Sequence, residues 1–184
     1  MGATKIEWCN VVWNPVTGCS PVSEGCEHCY ASRIIRRFRG KHGYSKDYPF
    51  TPTVHEGRFN EPIEWRKPRR VFVSSMGDVF HPGIPLASQQ AIILIAAQCA
   101  GKHTFIFLTK RPENIQNALA LLPTAGHYNP YNYSNLWFGV TAENSARLEE
   151  RVPVLFTATA ALPAVKRFVS CEPLLGPLSF KPQW

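Results

Sequence analysis

The sequence predicts an α/β fold built on parallel strands, and three observations carry that expectation. Short apolar or β-branched runs alternate with helical stretches, prolines punctuate the joints between them, and polar or ionisable residues follow each apolar run. The chain has 184 residues, 45% hydrophobic and 12% aromatic, which is the size and apolar content of one globular domain with a real core. One domain over 1–184 is therefore expected, with no internal repeat and no low-complexity segment.

Residues 71–74, 104–108, 136–140 and 168–170 read as strands buried on both faces, because their apolar residues run on without a polar alternate. Residues 88–100 read as a helix with Gly101 as its C-cap, and 112–122 as a helix with proline in its first turn. Residues 144–151 read as a third helix, which Asn144 is placed to cap. Strand and helix in alternation imply right-handed crossovers, hence an open sheet or a partial (β/α) barrel. Residues 39–70 are polar, aromatic and proline-bearing with little periodicity, and are expected to form a loop-rich basic insertion.

The longest apolar run, 91–97, is far short of the roughly 18 residues that span a bilayer, so no membrane span is expected. The first ten residues lack the basic-then-apolar layout of an export signal, and a cytoplasmic setting is expected. In that setting six cysteines point to metal or redox chemistry rather than to a disulfide framework. The net charge of +7 favours a polyanionic partner such as nucleic acid. Its basic residues concentrate at Arg33, Arg36, Arg37, Arg39 and Lys41 and at Arg66, Lys67, Arg69 and Arg70, which would serve equally as solvated surface.

Cys19, Cys26 and Cys29 place three thiols within eleven residues, with Gly18 and Gly25 before two of them. Such a loop can wrap a metal group, and three thiolates on a [4Fe-4S] cluster leave one iron open to a chelating cofactor. Zinc with Cys9 as a fourth ligand is the alternative, since His28, between two of the cysteines, is badly placed to share their metal. Cys99 reads as a small core residue, and Cys171 as either a pocket or a structural thiol.

Trp13-Asn14-Pro15-Val16-Thr17-Gly18-Cys19, the Gly25-Cys26-x2-Cys29-Tyr30-Ala31 segment and the stretch from Val71 through Met76-Gly77-Asp78 to His81 resemble the three-cysteine-motif proteins of phages and bacteria. That is a family of unknown function grouped with radical S-adenosylmethionine enzymes, and the likeness runs on through Phe107 to Pro112, Trp137 to Thr141 and Ser170 to Gly176. It implies a partial barrel of the radical-enzyme type, a [4Fe-4S] cluster on Cys19, Cys26 and Cys29, and S-adenosylmethionine on the open iron, cleaved reductively to a 5′-deoxyadenosyl radical. The basic charge and the phage association suggest nucleic-acid modification or repair.

Two departures stand out. Six residues separate Cys19 from Cys26 where radical enzymes usually have three. The family pattern also continues past Glu172-Pro173 into further strand, so the barrel is expected to lack its last strand or strands. Its open edge would then be covered by a partner protein or a homodimer.

In parallel α/β folds the reactive groups gather at the carboxyl ends of strands. Ser75 and Asp78 follow the first of the four predicted strands, Thr109 and Lys110 the second, Thr141 and Glu143 the third, and Glu172 the fourth. With Tyr30 beside the last cysteine, these are the expected cofactor-binding residues. Asp78 serves equally as a turn residue, and Lys110 or Arg111 as a rim salt bridge. Trp8, Trp13, Tyr30 and Trp65 are candidates to stack bases or to fill the core. Two rivals to catalysis remain: a zinc or iron–sulfur module holding a protein–nucleic-acid complex, and a relative that keeps the fold without the reaction.

Overall fold

The protein is described by a computed structural model covering residues 4, 6–122, 133–182 and 184. Five strands, β1 (Val11–Trp13), β4 (Arg69–Val73), β5 (His103–Thr109), β6 (Leu136–Thr141) and β7 (Lys166–Ser170), form one sheet in the order β1-β4-β5-β6-β7, with every neighbouring pair parallel. Each crossover steps the same way, so the strand order never reverses. A second, two-stranded antiparallel sheet pairs β2 (Val16–Thr17) with β3 (Thr53–Val54).

The crossover helices α3 (Leu86–Gln98), α4 (Ile115–Leu119) and α5 (Ser145–Ala158) pack on one another in chain order. Strand alternation sends Val11, Trp13, Val71, Val73, Phe105, Phe107, Phe138 and Val140 into the core they share with the sheet. The alternate residues Val12, Phe72, Leu108, Thr141 and Ser170 line cavities instead. One sheet face thus makes the core and the opposite face fronts the cavities.

Residues 39–70 hold β3, a 3-10 turn at Glu56–Arg58, α2 (Glu61–Glu64) and the first residues of β4. The helix expected over 112–122 is a 3-10 turn, Pro112–Asn114, followed by the short α4. The helix expected over 144–151 runs on to Ala158 through Pro153. Proline there removes one donor to the carbonyl of Glu149, but both residues lie on the exposed face, where solvent is available to the freed carbonyl. Leu148, Val152 and Leu155 meanwhile keep the helix docked. Among the described residues no helix is long and apolar enough to cross a membrane.

Candidate functional site

The cysteine loop is built against the carboxyl ends of the sheet. Gly18 pairs with Gly77 beyond β4, its N–H donating to the Met76 carbonyl at 2.8 Å, and the Cys19 N–H donates to the Phe50 carbonyl at 3.0 Å. Gly18 has φ +82°, and a Cβ there would overlap the Thr51 carbonyl, so only glycine fits. Cys26 then falls in the 3-10 turn Glu24–His28, and Cys29 precedes α1 (Tyr30–Ile34).

All three thiols line one cavity of about 580 Å³. Of the eight residues expected to bind cofactor, Tyr30, Ser75, Asp78, Lys110, Thr141 and Glu172 line it as well. Thr109 and Glu143 lie behind its wall and hold residues that face it. The Thr109 hydroxyl meets both Asp78 carboxylate oxygens, at 2.9 and 2.8 Å, while the Phe80 N–H donates to Oδ1 at 3.0 Å. Tyr30 donates its hydroxyl to the Ser75 carbonyl at 2.6 Å.

Two cations reach the sulfurs. Arg111, only 4% exposed, places Nη1 3.3 Å from the Cys19 sulfur and 3.3 Å from Asp78 Oδ2, and Nη2 donates to the Ser20 carbonyl at 2.7 Å. Lys110 Nζ stands 3.8 Å from the Cys26 sulfur, and the Val22 N–H donates to the same atom at 3.4 Å. The two thiols respond differently. Burial and the neighbouring Asp78 charge push Cys19 up to about 11 despite Arg111. At Cys26 burial also raises the pKa, but the Val22 and Ser23 backbone N–H groups and the Lys110 ammonium outweigh it and the thiol sits below its ordinary value.

Glu143 is the hub behind this wall. Its carboxylate has no exposure and takes Ser23 Oγ and Lys110 Nζ at 2.5 Å each and Arg151 Nη1 at 2.8 Å. Burial works to raise its pKa, and these donors hold it below the ordinary carboxylate value. A Cβ on Gly25 would stand 2.5 Å from this carboxylate, so the glycine before Cys26 lets the loop approach it. A second clamp ties Glu24 to Arg147 Nη2 at 2.9 Å and to Asn144 Nδ2 at 2.6 Å, while Asn144 Oδ1 caps α5 by accepting from the Arg147 N–H.

Several participants carry no motif of their own. Ser20, Ser23, Glu24 and Arg151 become legible only once the loop is folded onto β5 and α5. His81 accepts the Gly83 N–H on Nδ1 at 2.9 Å, which leaves its proton on Nε2 to donate to Ser20 Oγ at 2.7 Å. Burial and Arg111 hold this ring below its ordinary pKa. Cys9 and Cys99 are buried, and Cys171 is half-buried just beyond β7. Among the described residues, no three His, Cys, Asp or Glu side chains converge as ligands of one metal ion.

Residues 3–183 match the sequence profile of the family described as Protein of unknown function (DUF5131). The chain belongs to that family. No curated protein and no solved structure matches this DUF5131 chain.

Proposed function

We propose that the protein is a radical S-adenosylmethionine enzyme, cytoplasmic, with a [4Fe-4S] cluster on Cys19, Cys26 and Cys29, acting on nucleic acid. Its sheet is read as a partial (β/α) barrel, because same-direction crossovers curl a parallel sheet toward closure whereas a doubly wound sheet reverses its order. The observation that carries the proposal is the single cavity at the strand ends, which three thiols from one loop share with Ser75, Asp78, Lys110, Thr141 and Glu172.

The residues fit the group on two counts. Three thiolates that bind three different irons need not converge on one point, as ligands of a single zinc must. The cavity wall also contains Ser74, 2% exposed at φ +55°, whose hydroxyl has no hydrogen-bond partner among the described residues, and such strained, unsatisfied positions cluster at functional sites. When bound, the cluster would pass one electron, taken from an external reductant, to S-adenosylmethionine and so release methionine and a 5′-deoxyadenosyl radical.

The chain's own part is electrostatic and steric. Lys110 and Arg111 donate to the Cys26 and Cys19 sulfurs and so offset thiolate charge, which tunes the potential of a sulfur-held group. Asp78, Lys110 and Glu172 bring to the cavity the charges that complement an amino acid's ammonium and carboxylate and a ribose's hydroxyls. Phe72, Leu108 and Trp8 give the cavity an apolar lining beside its polar groups, which would favour an organic ligand over water.

Anaerobic reconstitution followed by iron and sulfide assay and equilibrium dialysis with S-adenosylmethionine tests the reading. It predicts about four irons per chain and cofactor binding that needs the cluster. Stoichiometric zinc without sulfide would replace it with the structural-module reading.

A further inference from the structure

Beyond Tyr30 lies a second cavity, of about 890 Å³, sharing Ile6, Tyr30 and Ser75 with the cysteine cavity. Its size is within the range of small-molecule sites, about 300–1,000 Å³. We propose that it receives one unstacked base of a single-stranded nucleic acid, with the exposed arginines of residues 33–41 holding the flanking phosphates. This deepens the nucleic-acid reading above and rests on it.

Three observations define the ligand. The walls bring together the rings of Tyr30, Phe38 and Tyr44, with Phe38 and Tyr44 offset-stacked, their planes 20° apart and centroids 5.8 Å apart. Flat π faces accept any base, and stacking on them is how single strands are held without sequence readout. The same walls carry donors and an acceptor. Asn14 Oδ1 is occupied by Ser75 Oγ and the Met76 N–H, leaving its Nδ2 amide free among the described residues, and the Glu61 carboxylate has no ion-pair partner there. A mixed donor and acceptor edge matches a nucleobase better than a hydrocarbon or a simple acid.

The third observation is the division of one helical segment into two faces. From α1 through the 3-10 turn Ile35–Phe38, Ile34 and Phe38 line the cavity while Arg33, Arg36 and Arg37 are exposed, as are Arg39 and Lys41 just beyond the turn, and none of the five has an ion-pair partner among the described residues. Five cations on the outer face of a wall whose inner face is aromatic place phosphates outside and a base inside. Reaching the cavity requires the base to leave its stack, which a single strand concedes most cheaply. Tyr30, pinned to the Ser75 carbonyl, then stands as the partition between the base and the cysteine cavity.

Anisotropy titrations of a labelled single-stranded oligonucleotide, and of the same backbone with every base removed, test this on both cluster-free and reconstituted protein. Phe38→Ala is expected to weaken the base-bearing strand by about tenfold and the abasic strand by less than about twofold. Arg36→Glu with Arg37→Glu should weaken both strands and flatten the salt dependence, and Tyr44→Phe, which keeps the ring, should bind as the parent does. Circular dichroism of each variant establishes that it is folded.

Equal losses by Phe38→Ala on the two strands, or no preference for the base-bearing one, would overturn the subsite while leaving an intact cluster and its enzyme reading in place. Base-dependent binding by a protein that never takes up iron and sulfide would uphold the subsite and remove the enzyme. Equal affinity for a free mononucleotide and the oligonucleotide would overturn the phosphate rim.

Discussion

At the Glu143 carboxylate, which has no solvent exposure, three donors converge: the Ser23 hydroxyl, the Lys110 ammonium and the Arg151 guanidinium. Arg151 is itself 1% exposed and also donates to the Thr141 carbonyl at 2.7 Å, so neutralising its partner strands a charge in the interior. Glu143→Gln keeps the shape and removes the charge, and is expected to destabilise by about 3–5 kcal/mol in urea unfolding at neutral pH. The sign of its pH dependence follows from the lowered pKa. A carboxylate held below its ordinary value contributes stability that is fully present above that value and is lost as pH falls through the folded pKa. The gap between parent and variant should therefore be widest near neutral pH and close in acid, as read from urea midpoints across that range.

The residue types at this site were readable in the chain, and their division of labour was not. Asp78, Lys110 and the three cysteines follow from their places at strand ends and in one loop. That Glu143 and Thr109 act behind the wall depends on which way each strand end turns its side chain. Gly25 is visible in the sequence as a glycine before a cysteine, but its reason, a carboxylate 2.5 Å from where a Cβ would be, exists only after folding.

Among the elements, α5 ties the cysteine loop to the sheet through its first turn. Asn144 caps the helix and simultaneously donates to Glu24, whose carboxyl the Arg147 guanidinium holds down at about 2. Asn144→Ala removes the cap and one anchor of the loop, and is expected to cost about 1 kcal/mol in thermal unfolding. Local hydrogen exchange should rise first over the turn Glu24–His28 and the start of α5, and an even rise across the sheet would contradict the anchor. The strands β4, β5, β6 and β7 were visible as apolar runs because the core demands them on one face and the cavity floor on the other. β1 is not legible in the sequence, since three residues, Val11–Trp13, carry too little periodicity and lead into Asn14-Pro15. α5 runs beyond the expected 144–151 to Ala158, through Pro153, because the buried Leu148, Val152 and Leu155 dock it on the core.

For the whole molecule, the order β1-β4-β5-β6-β7 without reversal makes one end of the sheet a continuous platform, and the loop with Cys19, Cys26 and Cys29 closes over it. Parallel α/β architecture was legible from alternation alone. The cavity was legible only in outline, as a set of strand-end positions, because its wall of thiols comes from the amino-terminal loop, and the second cavity gathers residues from 4–14, 30–61 and 75–76 that no local pattern joins. The claim that most needs testing is that this platform and loop hold a redox-active cluster with an open iron. Electron paramagnetic resonance of the anaerobically reconstituted, reduced protein measures it directly, with and without S-adenosylmethionine. A reduced [4Fe-4S] signal that shifts when S-adenosylmethionine is added, and that is lost in Cys26→Ala, is the predicted result. A protein that yields no such signal after reconstitution, or a signal indifferent to both the cofactor and Cys26, would contradict it.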